Sequence, residues 1–258
     1  MSRADTAPLP IHRGQPLLRR RAFVEHLMGM PISLHVKAID VHRDDIEAAA
    51  RNAFAMLDRV NDIFSLWRDD SELARLQAGD VLAGECHPWQ GEVMELALEA
   101  EEATEGRFSA WFGERAAYDP TGLVKGWAVD KAADFLRVVP GISFCLSAGG
   151  DLVVGAGPHL PGGAPAWLIG IQDPYAADGY AATVEVARGA VATSGSAARG
   201  AHVIDPRTGS PISRPGSATV VGPDLVWADI WATAAYVDPA GLADLLPRRA
   251  PSYHLSLL

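Results

Sequence analysis

Apolar and polar residues alternate over Ile32, Leu34, Val36 and Ala38, the period of a half-buried strand. The spacing then changes. Ile46, Ala50, Ala53, Leu57, Val60 and Phe64 recur at steps of three and four, which predicts a helix of about five turns, with Asp44 and Asp45 suited to its positive N-terminal end. A second helix is predicted over about 90–105, with Val93, Leu96, Ala97, Ala100 and Ala103 on one side and Gly106 as its cap. A third runs over about 125–138 and stops at Pro140-Gly141. Two apolar runs, 142–148 and 151–154, are split by Gly149-Gly150 and predict a hairpin. Strands are expected at 167–172, 182–187 and 217–222, helices at 226–237 and 239–246, and a closing strand at 253–258. Strands and helices do not alternate strictly. The expected fold class is therefore α+β, with mixed or antiparallel sheets and flanking helices.

The sequence has 258 residues, 48% of them hydrophobic, enough to bury a substantial core. The polar, proline-containing start suggests a flexible lead-in over 1–25, followed by a single domain over 26–258. A net charge of −10 argues against general nucleic-acid binding and against docking to anionic membranes. It leaves room for a polyphosphate, which backbone N–H groups, one or two cations and a metal can hold. No apolar run is long enough to span a membrane. The two cysteines, Cys86 and Cys145, are too few for a disulfide framework, and the expectation is a cytoplasmic protein.

Four segments carry candidate chemistry. Asp119 to Asp130 holds a glycine-containing turn that enters a helix, which can offer N–H groups to an anion, with Lys125 adding a point charge. An ordinary loop-to-helix junction with a surface lysine would look the same. His202-Val-Ile-Asp-Pro-Arg-Thr-Gly209 reads as a short strand running into a turn, and a partly buried histidine beside a plain turn is the alternative. Asp229 and Thr233 are four apart on a helix and share a face, so carboxylate and hydroxyl can meet one hard cation such as Mg²⁺. They can equally be satisfied by a neighbouring loop and by the helix's own backbone. Trp67, at the end of the first long helix, can stack on a planar ligand or serve as core.

Taken in order, these segments resemble the FAD:protein FMN transferase (ApbE) family. The resemblance lies in Met28-Gly29, Phe64-Ser-Leu-Trp-Arg-Asp-Asp-Ser-Glu-Leu, Asp119 to Asp130, Ala148-Gly-Gly-Asp151, Ala192-Thr-Ser-Gly195 with Arg199, His202 to Gly209, and Ala228-Asp-Ile-Trp-Ala-Thr-Ala234. It spans about residues 26–237. It implies Mg²⁺ held by Asp229, Thr233 and the Gly122 carbonyl. It implies FAD contacts from Met28, Trp67, Asp119, Lys125 and the region of His202, with Arg107, Phe108 and Ser109 corresponding to a further ligand segment. The implied activity is Mg²⁺-dependent cleavage of FAD, transfer of FMN to a threonine or serine hydroxyl of an acceptor protein, and release of AMP. His202 is the candidate base and Asp229 the candidate metal-binding catalytic group. Two other readings are an FAD pyrophosphatase, with water as acceptor, and a non-catalytic flavin-binding protein. The sequence departs from the family pattern at Met30, at Pro120-Thr121 and at Ser109, where an aspartate is usual.

Overall fold

The structure, a computed structural model, describes residues 17–112, 117–176, 178–196 and 203–258. Strands β1 (Arg19–Leu27) and β2 (Met30–Ala38) form an antiparallel pair. Helices α1 (Asp44–Phe64), α2 (Glu72–Ala78) and α3 (Pro88–Ala103) follow. The two-residue strands β3 (Trp111–Phe112) and β4 (Ala117–Tyr118) pair ahead of α4 (Thr121–Arg137). Next come two hairpins, β5 (Ile142–Ala148) with β6 (Asp151–Ala156), and β7 (Trp167–Gln172) with β8 (Tyr180–Val186). The chain continues through β9 (Gly189–Gly195), the short pair β10 (Ile204–Asp205) and β11 (Ser210–Pro211), and β12 (Ser217–Gly222). It ends in α5 (Leu225–Val237), α6 (Pro239–Arg249) and β13 (His254–Leu257).

Seven strands build the main sheet in the order β1-β2-β5-β6-β9-β12-β13, and every neighbouring pair is antiparallel. This is the α+β class that the element pattern predicts. The side chains of the central strands divide between two apolar layers. Phe144, Leu146, Val153 and Ala192 join the core under the helices, whereas Cys145, Leu152, Val154 and Val191 pack against Trp167, Ile171 and Val186 of the β7–β8 hairpin. Strands buried on both faces read as continuous apolar runs, which is the pattern of 142–148 and 151–154. Gly149 and Gly150 both have positive φ, 60° and 98°, as a two-residue hairpin turn of this kind requires.

Of the expected flexible lead-in over 1–25, the part over 19–25 is corrected by β1. Residues 1–16 lie outside the described part, but from Arg19 onward the chain is an edge strand. An edge strand buries little, so arginine, glutamate and histidine side chains occupy β1 while Phe23 and Leu27 pack against the core. The pattern also passes over β9 and α2. Strand β9 is made of small residues with no alternation, and α2 has only Leu73 buried.

Two contacts fix the helices that carry the candidate residues. Gly126 of α4 lies against α5 so closely that a Cβ there would stand 3.0 Å from Val226 Cα and 3.2 Å from Asp229 Cβ. One turn further on, the Asp130 carboxylate accepts hydrogen bonds from the Leu225 and Val226 amides at 2.6 and 2.9 Å, satisfying N–H groups that open α5. Burial holds this carboxyl above its ordinary range, against the pull of those two N–H groups and of Arg137.

Candidate functional site

A cavity of about 1320 Å³ opens where the end of α1, the start of α4, the Gly149-Gly150 turn, β7 and the end of β9 come together. It exceeds the roughly 300–1,000 Å³ usual for small-molecule sites. Every candidate residue in the described part lines it. Met28, Trp67 and Asp119 contribute to its wall, as do Arg107, Phe108 and Ser109. Gly122, Lys125, Asp229 and Thr233 lie along the helical side. His202 and Arg199 fall outside the described residues, while their neighbours Val203, Ile204 and Pro206 line the cavity.

The centre of the site is a charge cluster. The Asp229 and Asp151 side chains are almost wholly buried, at 3% and 2% exposure, and the Lys125 ammonium reaches both. It is in contact with Asp151 Oδ2 and stands 3.5 Å from Asp229 Oδ2. These two buried oxygens take no other hydrogen bond among the described residues. Asp151 Oδ1 accepts from the Thr193 amide at 2.7 Å, which ties the start of β6 to β9. Burial raises the Asp229 carboxyl to about 7; Lys125 opposes the shift and the Asp151 carboxylate adds to it. Two carboxylates against one ammonium in a buried place leave one negative charge that either a proton on Asp229 or a further cation can balance.

The side chains present fit a hard divalent cation. Thr233 sits one turn beyond Asp229, and its hydroxyl pairs with Ser194 Oγ at 2.9 Å. Gly122 is in the first turn of α4, where it faces the Phe108 ring at 3.5 Å from the position of a Cβ. The described residues contain no group of three or more His, Cys, Asp or Glu side chains able to cage a metal. A cation here would rely on one or two carboxylates, a hydroxyl, a carbonyl and ligand oxygens, which is the manner of Mg²⁺.

Around this centre the other candidates differ in freedom. The Trp67 residue is 97% exposed, so its indole is not core and stands at the cavity wall. Asp119 Oδ1 accepts from the Thr121 amide and hydroxyl at 2.9 and 2.6 Å and so secures the entry to α4. That helix begins at Thr121, a turn earlier than the pattern predicts. Amides opening it therefore lie at 121–124 rather than near Gly126. The amides of Leu123 and Val124 bond to the Pro120 carbonyl. Arg107 is engaged with Asp238 at 3.1 Å and Glu105 at 3.3 Å, and the Ser109 hydroxyl with Glu101 at 3.0 Å and the Trp111 amide at 3.1 Å. After residue 202 the Asp-Pro-Arg-Thr-Gly turn forms as expected: Asp205 Oδ1 accepts from the Arg207 amide at 3.0 Å, and Gly209 closes the turn at φ 68°.

Sequence reasoning missed Asp151 and Ser194 as members of the site. The available signal for Asp151 was an acidic residue between a Gly-Gly turn and an apolar run, a place where an unpaired carboxylate is costly.

Fold and site together define an α+β protein with an antiparallel sheet and one large cavity built round a buried acid–ammonium cluster. The ApbE family model matches residues 28–117 and 112–252, and the chain belongs to that family. Among solved structures, the ApbE protein of Thermotoga maritima is 19% identical, with 93% of this chain and 94% of that chain covered and a TM-score of 0.74. The flavin transferase ApbE of Vibrio cholerae is 20% identical over 93% and 97% of the two chains, with a TM-score of 0.71. The flavinyl transferase ApbE of Pseudomonas stutzeri, in its apo form, is 20% identical over 93% and 96%, also at 0.71. No curated protein sequence matches the chain.

Proposed function

We propose that the protein is an FAD:protein FMN transferase. It cleaves the pyrophosphate of FAD in the presence of Mg²⁺, joins FMN to a threonine or serine hydroxyl of an acceptor protein and releases AMP. The observation that carries this reading is the buried Asp151–Lys125–Asp229 cluster, two carboxylates to one ammonium, in the wall of a cavity that also presents the exposed Trp67. The naming of two structural neighbours as flavin transferases supports it.

In this reading Trp67 stacks on the isoalloxazine ring, and Met28 and Phe108 line the flavin end. Arg107, Ser109 and Asp119 shape the same wall, with Asp119 acting by holding the first turn of α4. Asp229, Thr233 and the Gly122 carbonyl would hold Mg²⁺, whose positive charge would offset that of the pyrophosphate. Lys125 offers its ammonium to a phosphate oxygen. The acceptor hydroxyl oxygen bonds to the phosphorus that stays with FMN, the P–O bond to the AMP phosphate breaks, and the hydroxyl proton passes to His202. A cytoplasmic setting belongs to this reading because two cysteines are too few for a disulfide framework.

Incubation with FAD and Mg²⁺, with and without a co-expressed candidate acceptor, tests the proposal by AMP release and acceptor mass. AMP release that requires the acceptor, with FMN added to its mass, is the expected result. Steady AMP release without acceptor would assign a pyrophosphatase, and intact bound FAD in both conditions a binding protein.

A further inference from the structure

The geometry points to Asp151 as a positioning residue that keeps Lys125 from neutralising Asp229. This rests on the reading of Asp229 and Thr233 as a cation site.

Lys125 and Asp229 face each other across the close α4–α5 contact at Gly126. Left to themselves in a buried site, one ammonium and one carboxylate would close into a neutral ion pair, because attraction between them is strong where water is excluded. That pair would occupy a carboxylate oxygen and put a positive charge where a divalent cation has to enter. A second carboxylate prevents this closure. The ammonium touches Asp151 Oδ2 and stands off from Asp229 Oδ2 at 3.5 Å. Asp151 is not free to follow the lysine. It is the first residue of β6, follows the Gly149-Gly150 turn, and its other oxygen is held by the Thr193 amide at 2.7 Å. The strand thus fixes a carboxylate that draws the lysine to itself, and the Asp229 oxygen is left without a hydrogen bond among the described residues, open to a cation. Asp151 neither needs to touch the metal nor the substrate to do this.

The test is a double-mutant cycle on Mn²⁺ binding to the protein without FAD, read by electron paramagnetic resonance of the free ion. Asp151→Asn keeps an acceptor for the Thr193 amide but removes the charge. It is expected to weaken Mn²⁺ binding at least tenfold. The same change made on a Lys125→Met background is expected to cost less than threefold, because there is no ammonium left to hold away. Asp151→Ser repeats the cycle should the asparagine protein fail to fold by circular dichroism. Equal losses on both backgrounds would mean that Asp151 acts by its own field on the cation and would overturn the proposal, as would wild-type affinity in Asp151→Asn. A wild-type protein that binds no Mn²⁺ would overturn the cation site itself, an outcome distinct from loss of the coupling alone.

Discussion

Replacing Asp229 by asparagine should stabilise the metal-free protein at alkaline pH while removing its activity. The carboxyl titrates near 7 in the fold, against 3.8 for an ordinary aspartate, chiefly because burial penalises its charge. A proton is therefore held more tightly by the folded than by the unfolded chain. Between pH 4 and 7 this group lowers stability as pH rises, and above 7 the full penalty is present. At about 1.4 kcal/mol per tenfold in acidity the penalty at pH 8 is on the order of 4 kcal/mol. Asparagine has the same shape and no charge, and Lys125 keeps Asp151 as its partner. The shift is already net of the attraction of Lys125, so the expected gain is that penalty itself, on the order of 4 kcal/mol. In a chain of this size each kcal/mol moves Tm by about 2–4 °C.

The assay is thermal or urea unfolding in a chelating buffer at pH 8, 6.5 and 5, together with FAD cleavage in Mg²⁺. The asparagine variant should melt several degrees above the wild type at pH 8, the gap should narrow toward pH 5, and cleavage should fall to background. Saturating Mg²⁺ should raise the wild-type Tm and leave the variant unmoved, since a ligand that binds the folded form stabilises by mass action. A variant no more stable than wild type at pH 8, or a gap that does not change with pH, would refute the argument that Asp229 is a strained, uncompensated charge.

Trp67→Ala should weaken FAD binding by about 2- to 13-fold, the equivalent of roughly 0.5–1.5 kcal/mol of ring stacking, with no loss of stability because the indole is exposed; fluorescence titration and a melt check both halves. His202→Asn should lower FMN transfer by roughly 10²–10⁴-fold and leave FAD affinity nearly unchanged, whereas a raised dissociation constant with normal turnover would reduce this histidine to a binding residue. Cys145, whose thiol burial pushes up to about 11, should resist a thiol reagent at pH 7.5 in the folded protein, and Cys86 should react first; mass mapping of the labelled peptides would decide.

What could be read from the sequence was what is local. The α1 stripe and the α5 pair Asp229/Thr233 depend on spacing within one helix, and the structure puts each where its period predicts. The β5–β6 hairpin was legible because two glycines mark a turn that few other residues tolerate. Strand β9 was not, although it lies between β6 and β12 in the main sheet. Its Gly-Ala-Val-Ala-Thr-Ser-Gly run is bounded by close backbone approach: a Cβ at Gly189 would stand 2.5 Å from the Gly222 carbonyl oxygen. Small residues are required there by the neighbours, and nothing in the run itself announces a strand. β1 failed for the opposite reason, since its arginines are tolerated only because one edge of it is open to water.

The same distinction separates the halves of the site. Asp229 and Thr233 share a helix, but the group that governs the charge of Asp229 arrives from α4, and the group that governs Lys125 arrives from β6, far away in the chain. No spacing rule connects those three residues. Gly126 connects them: a methyl group there would meet α5, so its absence lets the helices approach until the lysine beside it comes within reach of both carboxylates. In the sequence, that glycine reads as a weak point in a helix, costing about 1 kcal/mol relative to alanine. In the fold it is the reason the charge cluster exists, and the helix tolerates it because packing against α5 and the Asp130 bonds to the Leu225 and Val226 amides hold α4 where propensity alone would not.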